Sequence, residues 1–213
     1  MVLPVGWTWR KADTPIGLSA LKLDTIQLLH RSFLFINFKF VKVYTDQQAE
    51  KMKTAVYTGS FDPITLGHLN VIERGSRLFD QLVVGIGVNI EKVGLFKPQE
   101  RLELARQVTQ HLDNVEVKTF EGLAVDFVQQ CNSRIMLRGV RPLTDIAAEF
   151  TMMMANRKLN DELETVFLMA DGGYAHVSST LIKQLTPTAS DEQLEKFVPA
   201  AIIPELRKKL PNR

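Results

Sequence analysis

Residues 58–68 read Thr58-Gly59-Ser60-Phe61-Asp62-Pro63-Ile64-Thr65-Leu66-Gly67-His68, directly after a strand-like run, Thr54-Ala55-Val56-Tyr57. That run is β-branched and aromatic, as a buried strand requires. The chain then passes two glycines and a proline and takes up helical spacing from about Gly67. Leaving a strand, turning and entering a helix places unpaired backbone N–H groups and the positive end of a helix dipole at the carboxyl edge of a sheet. An anion binds in such a place. Gly59 allows close backbone approach, Ser60 offers a hydroxyl donor, and Gly67 leaves room beside His68 for an anionic oxygen. Taken singly, Ser60 reads equally as a turn hydroxyl and His68 as a histidine at a helix start. The stretch is neither the Gly-Lys-Ser/Thr phosphate loop nor the three-glycine dinucleotide fingerprint.

Working outward, apolar runs at 54–57, 82–88, 115–118, 134–138 and 165–170 predict five strands, alternating with helix-period segments. Leu69, Ile72, Ser76 and Phe79 mark one amphipathic helix over 67–79, and Pro98 with Glu100 opens a second carrying Ala105, Val108 and Leu112. Residues 123–132 and 144–159 supply two more, the latter opened by Pro142 and carrying Met152, Met153 and Met154, read as core or subunit-contact packing. Asp171-Gly172-Gly173 is a turn signal, followed by a short helix opened by Ser178, Ser179 and Thr180. Strands alternating with helices predict an α/β, doubly wound, five-stranded parallel sheet covered on both faces, with ligands at the strands' carboxyl ends.

Composition sets the outer limits. The 213 residues are 45% hydrophobic and 23% charged, with 12 Gly and 9 Pro, which excludes disorder and fibre. A net charge of +2 argues against a nucleic-acid partner, and the single cysteine, Cys131, forms no intramolecular disulfide and suits a reducing, cytoplasmic setting. Residues 1–51 are different material, with 7 Lys+Arg against 4 Asp+Glu, where residues 52–213 have 19 against 20. Their apolar run around Phe33 to Val41 is interrupted by Lys39 and is too short for a membrane span. No membrane partner is expected. Asp13, Asp24, Asp46 and Glu50 weigh against a transit peptide. Met52 followed by the first strand predicts a domain over 52–213, with 1–51 an N-terminal extension from upstream translation or poor ordering.

Two further constellations lie at predicted strand ends. The loop Asn89-Ile90-Glu91-Lys92-Val93-Gly94-Leu95-Phe96 carries Lys92, with Lys97 as its competitor, and the fourth strand closes on Arg138-Gly139-Val140-Arg141. An arginine ending an apolar strand is fixed in place, and its planar fork suits phosphate. Glu149 follows on the next helix. The stretch Tyr174-Ala175-His176-Val177-Ser178-Ser179-Thr180 holds three hydroxyls where capping needs one.

The run Thr58 to His68 resembles the Gly-His signature of the nucleotidyltransferase superfamily, and in this form it is similar to the phosphopantetheine adenylyltransferases. The resemblance covers about residues 53–209. It implies a Rossmann-like nucleotidyltransferase fold and reversible transfer of the adenylyl group of ATP to 4′-phosphopantetheine, giving dephospho-coenzyme A and pyrophosphate. It implies that His68 is catalytic, as a transition-state stabiliser. ATP would be bound by Ser60, Phe61, His68, Gly139, Val140, Arg141, Glu149 and the run Tyr174, Ala175, His176, Val177, Ser178, Ser179 and Thr180, with the His176 ring itself read as structural. The acceptor would be bound by Ser60, Lys92, Ala124 and Arg138. Val177 stands where isoleucine is usual, and Ala175-His176 where Ser-Phe is more typical. Mg²⁺ is the expected cofactor, carried on substrate phosphates without dedicated protein ligands, and the resemblance implies a homohexamer. Beside a membrane-surface tether role for residues 1–51, two alternative activities remain open at this stage. One is another phosphorylated acceptor, such as nicotinamide mononucleotide or an alcohol phosphate, and the other is a nucleotide-binding domain without catalysis.

Overall fold

The computed structural model describes residues 52–89, 93–141 and 146–212. Five strands, β1 (Thr54–Gly59), β2 (Gln81–Val88), β3 (Val115–Glu121), β4 (Ile135–Val140) and β5 (Glu164–Met169), form one parallel sheet in the order β3-β2-β1-β4-β5. Parallel neighbours need a crossover. Helices α1 (Leu66–Leu78), α2 (Pro98–Thr109), α3 (Ala124–Gln130) and α4 (Ile146–Leu159) supply the four crossovers. After β5 come a 3₁₀ turn (Gly172–Tyr174), α5 (Ser179–Leu185), α6 (Asp191–Leu194), a second turn (Ala200–Ile202) and α7 (Ile203–Lys209). The five expected strands and four crossover helices are therefore present, with ends shifted by one to three residues. Residues 1–51, Lys92 and the predicted helix opening at Pro142 lie outside the described residues.

Alternation in the strands sorts the core into two layers. Ala55, Tyr57, Leu82, Val84, Ile86 and Leu137 face α1, α2 and the C-terminal helices, whereas Val56, Val83 and Met136 face α3. β1 and β2 are buried on both faces, as expected. β5 is not: Phe167 and Met169 are exposed at the sheet edge, so the expectation of complete cover fails there. α4 likewise buries only Asn156, and Met152 and Met154 are exposed, so the methionines are not core within this chain.

The helix after the first strand is where expected, but its buried face differs. Val71, Ile72 and Gly75 are buried, while Leu69, Ser76 and Phe79 sit at its flanks. Gly75 is the cause. A Cβ there would lie 2.7 Å from Leu137 Cδ2 and 3.1 Å from Leu82 Cδ2, so the missing side chain is what lets α1 settle onto β1, β2 and β4.

Register determines where the sheet opens. β1 pairs with β2 as far as Gly59 opposite Ile86, and β4 with β5 as far as Val140 opposite Met169. β1 and β4 pair only from Ala55 opposite Ile135 to Tyr57 opposite Leu137. Beyond that point the two central strands part, at the position where strand order reverses and a doubly wound sheet takes its ligands.

Candidate active site

A cavity of about 310 Å³ occupies this parting. The end of β1 contributes Thr58, Gly59 and Ser60, the start of α1 contributes Gly67 and His68, and β4 contributes Arg138, Gly139 and Arg141. Glu149, Ala170, Tyr174, Val177 and the run Ser178, Ser179 and Thr180 also line it, with Tyr57, Thr65 and Val71 behind them on β1 and α1 or its cap.

His68 is held before any ligand arrives. Thr65 is the N-cap of α1, and its hydroxyl accepts from the His68 N–H at 3.3 Å. In return the Thr65 N–H donates to His68 Nδ1 at 3.1 Å. With Nδ1 accepting, the proton of the neutral ring is on Nε2. Burial, then the positive charges of Arg141 and Arg138, push the His68 pKa down to about 4. The free protein therefore presents a neutral imidazole with an Nε2 donor at neutral pH. Phe61 backs the ring edge-on, at 5.0 Å between centroids.

Arg138 crosses the gap between the strands. Its NH1 donates to the Thr58 carbonyl at 2.6 Å, close to where β1–β4 pairing stops. Its Nε and NH2 form a two-pronged pair with the carboxylate of Glu149, at 2.8 and 2.6 Å. Burial works against the arginine's charge, but Glu149 outweighs it and holds the guanidinium above its ordinary pKa. Next to it, a Cβ on Gly139 would lie 2.9 Å from Val71 Cγ2 and 3.1 Å from the Tyr57 hydroxyl, so only glycine lets β4 pass here. Burial in turn raises the Tyr57 pKa to about 12, so this tyrosine stays a neutral wall.

The three hydroxyls at α5 have separate fates. Ser178 Oγ caps the helix by accepting from Leu181 N at 3.1 Å, and Ser179 Oγ donates to the Pro63 carbonyl at 2.8 Å. Thr180 faces the cavity with no hydrogen bond to its hydroxyl among the described residues.

Comparison with known proteins gives this geometry a lineage. Residues 56–185 match the cytidylyltransferase-like family model. The phosphopantetheine adenylyltransferase of Rhodopirellula baltica is 60% identical over 168 residues, covering 78% of this chain and 94% of its own. That of Clostridium botulinum (strain Eklund 17B) is 47% identical over 155 residues, covering 73% and 96%. The chain belongs to the phosphopantetheine adenylyltransferase family. Among solved structures, the nicotinic acid mononucleotide adenylyltransferase of Plasmodium falciparum superposes with a TM-score of 0.57 at 14% identity, covering 74% of this chain and 95% of its own. A nicotinate-nucleotide adenylyltransferase assigned in Vibrio parahaemolyticus gives 0.52 at 19%, covering 74% and 92%. At such identities these two describe the fold alone.

Most of the residues drawn from resemblance to phosphopantetheine adenylyltransferases converge on the one cavity, and the other described ones are placed elsewhere. Phe61 is core, 1% exposed, with φ of +46°, and touches His68 rather than lining the cavity. Val140 is buried behind Arg141. Ala175 is outside the cavity lining, and His176 stacks edge-on against Phe197 at 5.8 Å. Ala124 starts α3 and packs against the second core layer. Lys92 lies outside the described residues, while its competitor Lys97 is the N-cap of α2, with its N–H donating to Glu100.

Four further residues build this site. Thr65, three before His68, had the spacing of an N-cap, which was a usable signal. Tyr57 carries in the sequence only the signal of a strand residue. Arg101 gave none: it is a lone arginine on an amphipathic helix, yet it is buried and its NH1 donates to the carbonyls of Ser60 and Gly87 at 2.9 and 3.3 Å. Asp62 was part of the motif without a role. Its carboxylate accepts from Phe96 N at 2.8 Å, Leu95 N at 2.9 Å and Lys183 Nζ at 2.6 Å. Burial alone would raise its pKa, but Lys183 and the two amides outweigh burial and lower it.

Proposed function

We propose that this chain transfers the adenylyl group of ATP to 4′-phosphopantetheine, reversibly, releasing pyrophosphate and dephospho-coenzyme A in coenzyme A biosynthesis. The observation that carries the chemistry is the convergence of the oriented His68 donor, Arg138, Arg141 and the hydroxyl turn of α5 on one cavity at the switch point. Family membership supplies the two substrates.

The attacking group is a phosphomonoester oxygen. Its second pKa is about 6, so it is already ionised and needs no general base. It forms a bond to the α-phosphorus as the bond to the β-phosphate oxygen breaks, and pyrophosphate leaves. Two anions must be brought together and the charge on the α-phosphate oxygens neutralised, which is positioning and electrostatics. In this reading His68 Nε2–H donates to an α-phosphate oxygen and gains strength as charge builds there. Ser60 and the Thr180 hydroxyl serve the donor phosphates, and Arg141 and Tyr174 its nucleoside side.

Arg138 grips the acceptor phosphate together with Lys92. Three of the guanidinium's five N–H groups are taken by Glu149 and Thr58, leaving two for phosphate. In this reading Glu149 holds Arg138.

Mg²⁺, if carried in on the nucleotide, would supply neutralisation of polyphosphate charge. The cavity's carboxylate, Glu149, is paired with Arg138, and the reading leaves the ion to substrate phosphate and water. We further read the chain as a cytoplasmic homohexamer, supported by the exposed apolar residues of α4 and by the free Cys131. No helix among the described residues is long and apolar enough to cross a membrane. Residues 1–51 are an extension outside the adenylyltransferase domain of residues 52–213.

The test is pyrophosphate release from Mg-ATP with 4′-phosphopantetheine, nicotinamide mononucleotide or glycerol phosphate offered singly. Release with phosphopantetheine alone is expected. Release with another acceptor replaces the substrate and keeps the mechanism, and release with none from folded protein overturns the enzymatic reading.

A further inference from the structure

We propose that Asp62 is a positioning residue for adenylyl transfer: one buried carboxylate locks the loop that carries His68 to α5 and to the core, so that its loss lowers turnover more than it weakens either substrate. The proposal rests on the adenylyl-transfer reading above. Asp62 lies between Ser60 and Thr65, in the loop that sets His68. It does not line the cavity, so it acts through what it holds.

Three donors converge on it from two other segments. Leu95 and Phe96, shortly before α2, donate backbone N–H groups, and Phe96 is 2% exposed, so this pair is anchored in the core. Lys183 donates from α5, whose first turn places Ser178, Ser179 and Thr180 on the cavity wall. A second bond, from Ser179 Oγ to the Pro63 carbonyl at 2.8 Å, ties the same helix to the residue after Asp62. Segments facing the α-phosphate and the rest of the triphosphate are thus indexed to each other through this carboxylate. In-line displacement is sensitive to their relative placement, since a misplacement of about 1 Å can cost about 100-fold in rate.

The chemistry of the partners makes the carboxylate specific. All three are donors, and Asp62 is buried. Asparagine keeps the shape but offers one acceptor oxygen and a donor NH₂, so an N–H or the ammonium would face another donor. Misplaced groups impair a transition state more than a ground state, because substrates tolerate looser contacts than the in-line geometry does.

The experiment uses the full chain and compares Asp62→Asn, Lys183→Met and the double variant. Turnover and both KM values are read by pyrophosphate release, and ATP-competent sites are counted by calorimetric stoichiometry. For Asp62→Asn the expected result is a kcat per competent site lower by about tenfold or more, with each KM within about threefold of the parent. Lys183→Met should lose less, and the double variant should lose less than the product of the two single losses, because both act on one contact. A kcat per competent site within twofold of the parent, whatever the melting temperature, overturns the proposal, as does a rise in KM at unchanged kcat. Should Asp62→Asn fail to fold, Lys183→Met decides: unchanged kcat sinks the idea. A parent inactive with phosphopantetheine sinks the adenylyl-transfer reading instead, so the two failures are distinguishable.

Discussion

His68 shows how much of the proposed catalysis is prepared by a single local contact. Donation from Thr65 N to Nδ1 selects the tautomer, and burial with two arginines keeps the ring neutral. Replacing it by alanine is expected to lower kcat by about 100- to 1,000-fold, the range for losing one preorganised donor to a developing charge. Both KM values should stay within a few-fold, measured by steady-state pyrophosphate release. The same ring gives a pH signature. Its folded pKa of about 4 lies below the unfolded value of 6.5, so the unfolded chain binds the proton first as pH falls. Its stability contribution is present above pH 6.5 and lost progressively toward pH 4. Between pH 7 and 5 the parent should lose up to about 2 kcal/mol more than His68→Gln, read from urea midpoints of the ligand-free protein.

At the scale of elements, close approaches set the spacing between layers. Gly85 in β2 is the sharpest case. A Cβ there would lie 2.4 Å from Phe127 Cε1, and Phe127 is stacked on Phe120 at 4.4 Å between centroids, with 10° between ring planes. Neither ring can yield without displacing the other. Gly85→Ala is therefore expected to destabilise by about 1–3 kcal/mol, as overpacked cores do. A shift in urea midpoint at constant m-value checks it, and no shift would mean that α3 can slide. Gly75 makes the matching approach for α1 on the other face, and this is why the 69/72/76/79 stripe lost to a face centred on Val71, Ile72 and Gly75. Hydropathy marks which side of a helix is apolar. The backbone that can come closest selects which residues are buried.

Over the whole molecule, the exposed apolar residues concentrate on elements far along the chain from the loop between β1 and α1. Ile146, Phe150, Met152, Met154 and Leu159 of α4, and Phe167 and Met169 of β5, are all more than a third exposed. If they bury against further copies, as the hexamer proposal requires, Phe150→Glu with Met154→Glu should give a smaller particle by light scattering. An unchanged mass would place the subunit contacts elsewhere. The order of strands and helices, the strand-turn-helix passage over residues 58–68 and the arginine near the end of β4 were all legible in the sequence. Each is carried by neighbours along the chain: β-branched runs, a proline opening a helix, a glycine-rich turn. What neighbours along the chain cannot carry is a meeting between distant segments. Only the tertiary structure joined Asp62 to Lys183, Arg138 to Glu149 and Thr58, and Arg101 to Ser60 and Gly87, because each contact joins groups on separate elements that only the packing of the helices on the sheet brings together.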